Sequence, residues 1–167
     1  REYQTKDYGW KIFPSLVWFK KALKKSYSLC ITKDVQNYFG INNNLKSVVI
    51  YNPALPEVSI QQRNIIEPYF LVANRVSKEK GIEDIIEAFS IFVQKHSCFK
   101  LKIAGFGNET YVKELQIKCE KLGIRDKVDF IGYTDRIQSL MLSCKALIVA
   151  SYSEGFGRMT AEANMQG

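Results

Sequence analysis

The chain has 167 residues, enough for one domain and part of another, and its 46% hydrophobic and 25% charged content is that of a globular protein. No apolar run approaches the roughly 18 residues of a membrane-spanning helix, so none is expected, and the first residues lack a secretory-signal pattern. Net charge is +7 and uneven: residues 1–50 hold nine Lys/Arg against three Asp/Glu, the remainder fifteen against fourteen, which points to two modules.

Residues 1–13 carry Tyr3, Tyr8, Trp10 and Phe13 without clear periodicity. From Pro14 a helix is predicted, with Leu16, Phe19, Leu23 and Tyr27 on one stripe and Lys20, Lys21, Lys24 and Lys25 over much of the other side. Such a basic amphipathic helix suits either plain solvation or an anionic membrane surface. No nucleic-acid motif accompanies the charge, so no nucleic-acid partner is expected. A short strand follows over 27–31, then a helix capped by Thr32 or Asp34 and stopped by Gly40, then a strand over 47–51. Pro53, Pro56, Pro68 and the polar run Gln61–Asn64 mark a linker over 53–68.

The second module, 69–167, opens with Tyr69-Phe-Leu-Val-Ala73, an apolar run fit for a parallel strand buried on both faces. A helix bearing Ile82, Ile85, Ile86, Phe89 and Val93 comes next, then a strand over 99–104. Further on are a helix near 109–122 stopped by Gly123, a strand over 128–131, and a short helix opened by Asp135. Ala146–Ala150 reads as a buried strand, followed by a glycine turn and a helix from about Gly157. Strands separated by helices imply crossover connections and an α/β fold, a Rossmann-like parallel sheet with helices on both faces, with ligands at the carboxyl ends of the strands. Gly105-Phe-Gly107 has Thr110 where a dinucleotide fingerprint needs its third glycine, so a dehydrogenase is not expected.

Cys30, Cys98, Cys119 and Cys144 show no C-x-x-C pair and no neighbouring histidine, and read as reduced, mostly buried thiols of a cytosolic protein. Without a secretory signal the acceptor Asn108-Glu-Thr110 is discounted as a glycosylation site. His96 falls late on a helix, no aspartate pair closes a strand, and no metal is implied.

The most informative stretch is Ser151-Tyr-Ser-Glu154-Gly155-Phe156-Gly157, followed by Glu162. A turn between strand and helix directs unpaired N–H groups and the positive helix end outward, which suits phosphate or sugar. Glu162 falls about five residues inside the helix, roughly 7–8 Å along its axis at 1.5 Å per residue, so the two carboxylates can hold different hydroxyl-bearing parts of one ligand. Arg75 and Lys80 follow the first strand of the module, well placed to neutralise a diphosphate.

Glu154-Gly-Phe-Gly157 with Glu162 resembles the E-x(7)-E signature of retaining glycosyltransferases of family four (group 1), which have the two-domain B-type fold. Arg75, Lys80 and Gly81 match the family pattern G-R-x(4)-K-G, with Asn74 in place of its first glycine. Asn52-Pro53 stands where the family has Pro-Asn-Gly. The resemblance implies that residues 1–52 end an N-terminal, acceptor-side domain and that 69–167 are most of the donor-binding domain, truncated at its C-terminus. A piece so limited is expected to be inactive by itself.

The resemblance implies catalytic roles for Arg75, Lys80 and Glu154: the two cations on the donor diphosphate, Glu154 on the transferred sugar. Glu162 is then on the ribose hydroxyls, the backbone of Gly155, Phe156 and Gly157 on the phosphate, and Tyr133 beside the base. The donor is a UDP- or GDP-linked sugar acting as substrate, with no cofactor and no metal. The acceptor is a glycan or a lipid-linked acceptor in cell-surface polysaccharide or glycoconjugate synthesis. The location implied is cytoplasmic, peripheral on the inner face of the membrane. The alternatives are a non-catalytic nucleotide-sugar-binding module completed by a partner chain, and an epimerase on the same fold, whose carboxylates and histidines are not found.

Overall fold

The computed structural model describes residues 13–53, 68–152, 154 and 156–165. Two compact units emerge, Arg1–Pro53 with Ser153–Gly157, and Ala54–Tyr152 with Arg158–Gly167.

In the first unit, helix α1 (Phe13–Lys25) leads to strand β1 (Ser28–Cys30), helix α2 (Lys33–Tyr38) and strand β2 (Ser47–Val49). The two strands pair in parallel, with Leu29 opposite Val48. Thr32 caps α2 as its sequence position suggests, its hydroxyl accepting from the Val35 N–H at 3.1 Å. The last carbonyls of α1 are met from a distant loop: Asn44 donates to the Lys24 carbonyl at 3.1 Å, and Lys46 to that of Lys25 at 3.3 Å. The apolar stripe predicted for α1 is shorter than expected. Phe19 meets Phe39 edge-on, but the helix ends at Lys25 and leaves Tyr27 exposed.

The second unit holds strands β3 (Tyr69–Ala73), β4 (Lys100–Ala104), β5 (Val128–Gly132) and β6 (Ala146–Leu147), all parallel in the order β5-β4-β3-β6. Helices α3 (Ile82–Lys95), α4 (Glu109–Lys121), α5 (Ile137–Ser143) and α6 (Arg158–Met165) accompany them. The alternation along β3 divides the core between the faces of the sheet. Val72, with Leu101 and Ile103 of β4, packs on Ile82, Ile86 and Leu115 of α3 and α4. Tyr69, Leu71 and Ala73 face the other way, onto Met141 of α5 and Met159 and Ala163 of α6. Helices therefore cover both faces, as the run of apolar residues in β3 requires. Each fully buried Leu or Ile here stabilises the unit by about 1.5–3 kcal/mol.

Chain order steps from β3 through β4 to β5, then returns to the other side of β3 for β6. The reversal puts a topological switch point between β3 and β6, and the loops after these two strands flank it.

The segment Ala146–Ala150 departs from the buried strand expected of it. Only Ala146 and Leu147 join the ladder, with Ile148 N–H still donating to the Leu71 carbonyl at 2.8 Å. Among the described residues β6 is an edge strand, and Ala146 and Val149 remain exposed. The chain leaves the ladder because its next backbone bond is made elsewhere: Tyr152 N–H donates to the Glu79 carbonyl at 2.9 Å, in the turn that follows β3.

Cys30 and Cys119 are buried thiols, Cys144 donates to the Met141 carbonyl at 3.2 Å, and Cys98 is exposed. Asn108 serves as a helix cap, its carboxamide oxygen accepting from Thr110 N–H at 2.9 Å and Tyr111 N–H at 3.3 Å.

Candidate functional site at the carboxyl edge of the sheet

The carboxyl ends of β3, β4 and β5 are joined by backbone bonds that continue past the ladders. Asn74 N–H donates to the Ala104 carbonyl, Val76 N–H to that of Phe106, and Gly105 N–H to that of Gly132. At Gly105, with φ +148°, a Cβ would collide with the Asn74 carbonyl, so only glycine permits this approach. The edge is thereby a continuous backbone shelf. Two aromatic side chains project from it, Phe106 at 73% exposure and Tyr133 at 82%.

Arg75 follows β3 by two residues and is exposed. Lys80 is half-buried at the end of a single 3-10 turn, Lys78–Lys80. Gly81 ends that turn in the left-handed region, φ +61°, where a Cβ would strike the Ala150 carbonyl oxygen. The turn carrying Lys80 therefore lies flush against the exit of β6.

Between Arg75 and Lys80 in the chain, the Glu79 carboxyl is held below the usual carboxylate range. The Ser77 hydroxyl is the largest cause, although its oxygen makes no fully formed hydrogen bond; the residue's own backbone N–H and then the charges of Arg75 and Lys80 follow. Sequence reasoning missed Glu79, because an acidic residue between two lysines reads as surface charge.

On α6, Glu162 is mostly buried and receives Arg158, whose Nε lies 3.0 Å from Oε1. The i, i+4 spacing of Arg158 and Glu162 was the signal in the sequence that could have found this pairing. Glu154 is exposed, and Gly157 has φ +70° just before α6. Phe156 is half-buried, its ring 6.2 Å from that of Tyr51 within the first unit. Gly155 lies outside the described residues. The second unit thus holds Arg75, Lys80, Tyr133 and Glu162, whereas Glu154, Phe156 and Gly157 group with the first.

A further set of contacts surrounds the Lys80 turn. Tyr152 OH donates to Asp84 Oδ2 at 2.6 Å, and Tyr111 OH to Glu83 Oε1 at 3.0 Å. Lys118 pairs with Glu87 at 2.5 Å and reaches Glu83 at 3.8 Å. Burial first, then the bond to Glu83, pushes the Tyr111 phenol well above its ordinary value. The Tyr152 phenol is raised chiefly by its bond to Asp84. Pairings between residues 28 and 68 positions apart carry no short-range signal.

Among the described residues no group of three or more His, Cys, Asp or Glu could hold a metal ion, and no helix is long and apolar enough to cross a membrane. The positive groups at this edge are side-chain cations and backbone N–H groups. Together they can neutralise an anion.

The chain is similar to several known proteins. An uncharacterized glycosyltransferase of Methanocaldococcus jannaschii, MJ1607, is 35% identical over 104 residues, 60% of this chain and 26% of that protein. The O-antigen biosynthesis glycosyltransferase WclY of Escherichia coli is 25% identical over 162 residues, 91% of this chain and 44% of that one. The chain thus spans between a quarter and a half of these relatives. Among solved structures, HepE of Anabaena in complex with UDP superposes with a TM-score of 0.76 at 22% identity, over 96% of this chain and 48% of that one. At that identity the likeness is one of fold, and it agrees with the parallel α/β architecture expected of the donor-side half of a B-type glycosyltransferase. The family model for glycosyl transferases group 1 matches residues 58–167, from the linker through the sheet, both cations and both glutamates, and the chain belongs to that family.

Proposed function

We propose that the chain is the donor-binding part of a retaining glycosyltransferase that moves a sugar from a UDP- or GDP-sugar to a glycan or lipid-linked acceptor. The observation that carries this is the pair Arg75 and Lys80 at the carboxyl edge of β3, beside the switch point, on a turn whose Gly81 lies against the β6 exit. Cations held there before the ligand arrives stabilise the charge that grows on the diphosphate as its bond to the sugar breaks. The diphosphate takes the electron pair, the acceptor oxygen bonds to the anomeric carbon on the same face, and the acceptor hydroxyl passes its proton to the departing diphosphate oxygen. Arg75 and Lys80 thereby serve where a divalent cation serves in other transferases.

In this reading Glu162 accepts from the ribose hydroxyls, Glu154 contacts the transferred sugar, and the backbone of Gly155, Phe156 and Gly157 adds N–H groups for phosphate. The Gly132–Tyr133 backbone borders the base. HepE has been solved with UDP, and WclY is named for O-antigen biosynthesis, which favours a uridine donor and a surface-polysaccharide acceptor. The first unit adds a membrane reading on the cytoplasmic side: Lys21, Lys24 and Lys25 are exposed beside Trp18 at 77% exposure. Lys20, whose side chain lies outside the described residues, belongs to the same basic run.

The test is calorimetric titration with UDP- and GDP-sugars, UDP, GDP and the bare nucleosides, on wild type, Arg75→Gln and Lys80→Gln. Each substitution is expected to weaken diphosphates by about 1.5–3 kcal/mol, as for a hydrogen bond to a charged group, and to spare nucleosides. Equal losses for both ligand types would assign the cations a structural role.

A further inference from the structure

We propose that Tyr152 is a positioning residue that sets the turn carrying Lys80 in register with the exit of β6. The inference rests on reading Lys80 as a diphosphate ligand. Tyr152 grips the chain on both sides of that lysine. Its backbone N–H donates to the Glu79 carbonyl at 2.9 Å, immediately before Lys80, and its phenol donates to Asp84 Oδ2 at 2.6 Å, four residues beyond.

The residue is not held by burial, since it is 63% exposed. Its place is defined by polar bonds to the turn and to the first turn of α3. Between the two bonds, Gly81 sits against the Ala150 carbonyl with no room for a Cβ, so the turn lies close against the β6 exit. Asp84 belongs to a wider framework, because its neighbour Glu83 receives Tyr111 and Lys118 from α4. The grip thus ties the Lys80 turn to two helices and to the strand exit that leads, two residues later, to Glu154.

Removing the phenolic oxygen should therefore loosen the turn without unfolding the unit. The experiment compares wild type, Tyr152→Phe, Asp84→Ala and the double variant in titrations with UDP, GDP, UMP and uridine, with thermal unfolding recorded for each. Tyr152→Phe is expected to weaken the diphosphates about three- to tenfold, while uridine binding stays unchanged and the melting temperature falls only by what one exposed hydrogen bond contributes. Asp84→Ala should do the same, and the double variant no more, because both remove the same bond.

Lys80→Gln is titrated alongside. If it weakens UDP while Tyr152→Phe leaves UDP affinity intact, the positioning role is wrong and the diphosphate reading stands. If Lys80→Gln leaves UDP affinity intact, both fall together. Equal losses of UDP and uridine in Tyr152→Phe would make the residue merely structural and also overturn the proposal.

Discussion

Arg158 and Glu162 stand one turn apart on α6, Nε 3.0 Å from Oε1, with the carboxylate side chain only 13% exposed and the guanidinium side chain 62%. The order of charges opposes the helix dipole, since the cation occupies the first turn and the anion follows. Helix stability therefore does not explain the pair. If Glu162 has the ribose role proposed above, a guanidinium that fixes one oxygen leaves the other to the ligand. Glu162→Ala should weaken nucleoside diphosphates by roughly 1–3 kcal/mol, and Arg158→Gln by less. Calorimetry on a folded Glu162→Ala protein that binds UDP and GDP as tightly as wild type would remove Glu162 from the site.

Gly81 and Gly123 share nearly the same backbone, φ +61° and +68°, but differ in surroundings. At Gly81 a Cβ meets the Ala150 carbonyl, whereas at Gly123 nothing lies within 4 Å. Gly123→Ala should cost about 1–2 kcal/mol, the penalty of a left-handed residue. Gly81→Ala should exceed that, because the turn must also move. Urea unfolding of the two variants measures the difference, and equal midpoints would mean that the turn is not pinned against the β6 exit.

The raised Tyr111 phenol gives the fold an alkaline dependence whose sign follows from linkage. In the unfolded chain the phenol titrates near 10, while in the native unit it keeps its proton to higher pH. Its contribution is full below about pH 10 and is lost as the pH rises beyond that, until the native phenol itself titrates. Tyr111→Phe removes this part. Denaturant unfolding at pH 8 and pH 11 should show a smaller loss for the variant than for wild type, and identical losses would contradict the assignment.

The basic face of α1 makes a separate claim. Replacing Lys20, Lys21, Lys24 and Lys25 by Gln should reduce sedimentation with phosphatidylglycerol-rich vesicles, by about 1 kcal/mol for each charge near the surface. Raising the salt should weaken the wild type in parallel. Wild-type protein that ignores such vesicles at low salt would leave the lysines as solvated charge.

Much of this protein follows from short stretches of its sequence. The Ile82–Val93 stripe, the Tyr69–Ala73 run and the stops at Gly40 and Gly123 act over one to four turns, and the helices and strands they announce are found within a residue or two. The spacing of Arg75, Lys80, Glu154 and Glu162 was equally legible, as a pattern along the chain. What a residue touches was not. Ala146–Ala150 has the composition of an interior strand, yet strand position depends on which neighbours form ladders, and the chain leaves the sheet after Leu147 for the turn at Glu79. The pairings of Tyr152 with Asp84 and Tyr111 with Glu83 likewise join segments that only the return of β6 beside β3 and the packing of α4 on α3 bring together. Local periodicity and turn chemistry are written in neighbouring residues, whereas hydrogen bonds across the sheet edge exist only after the crossovers have closed.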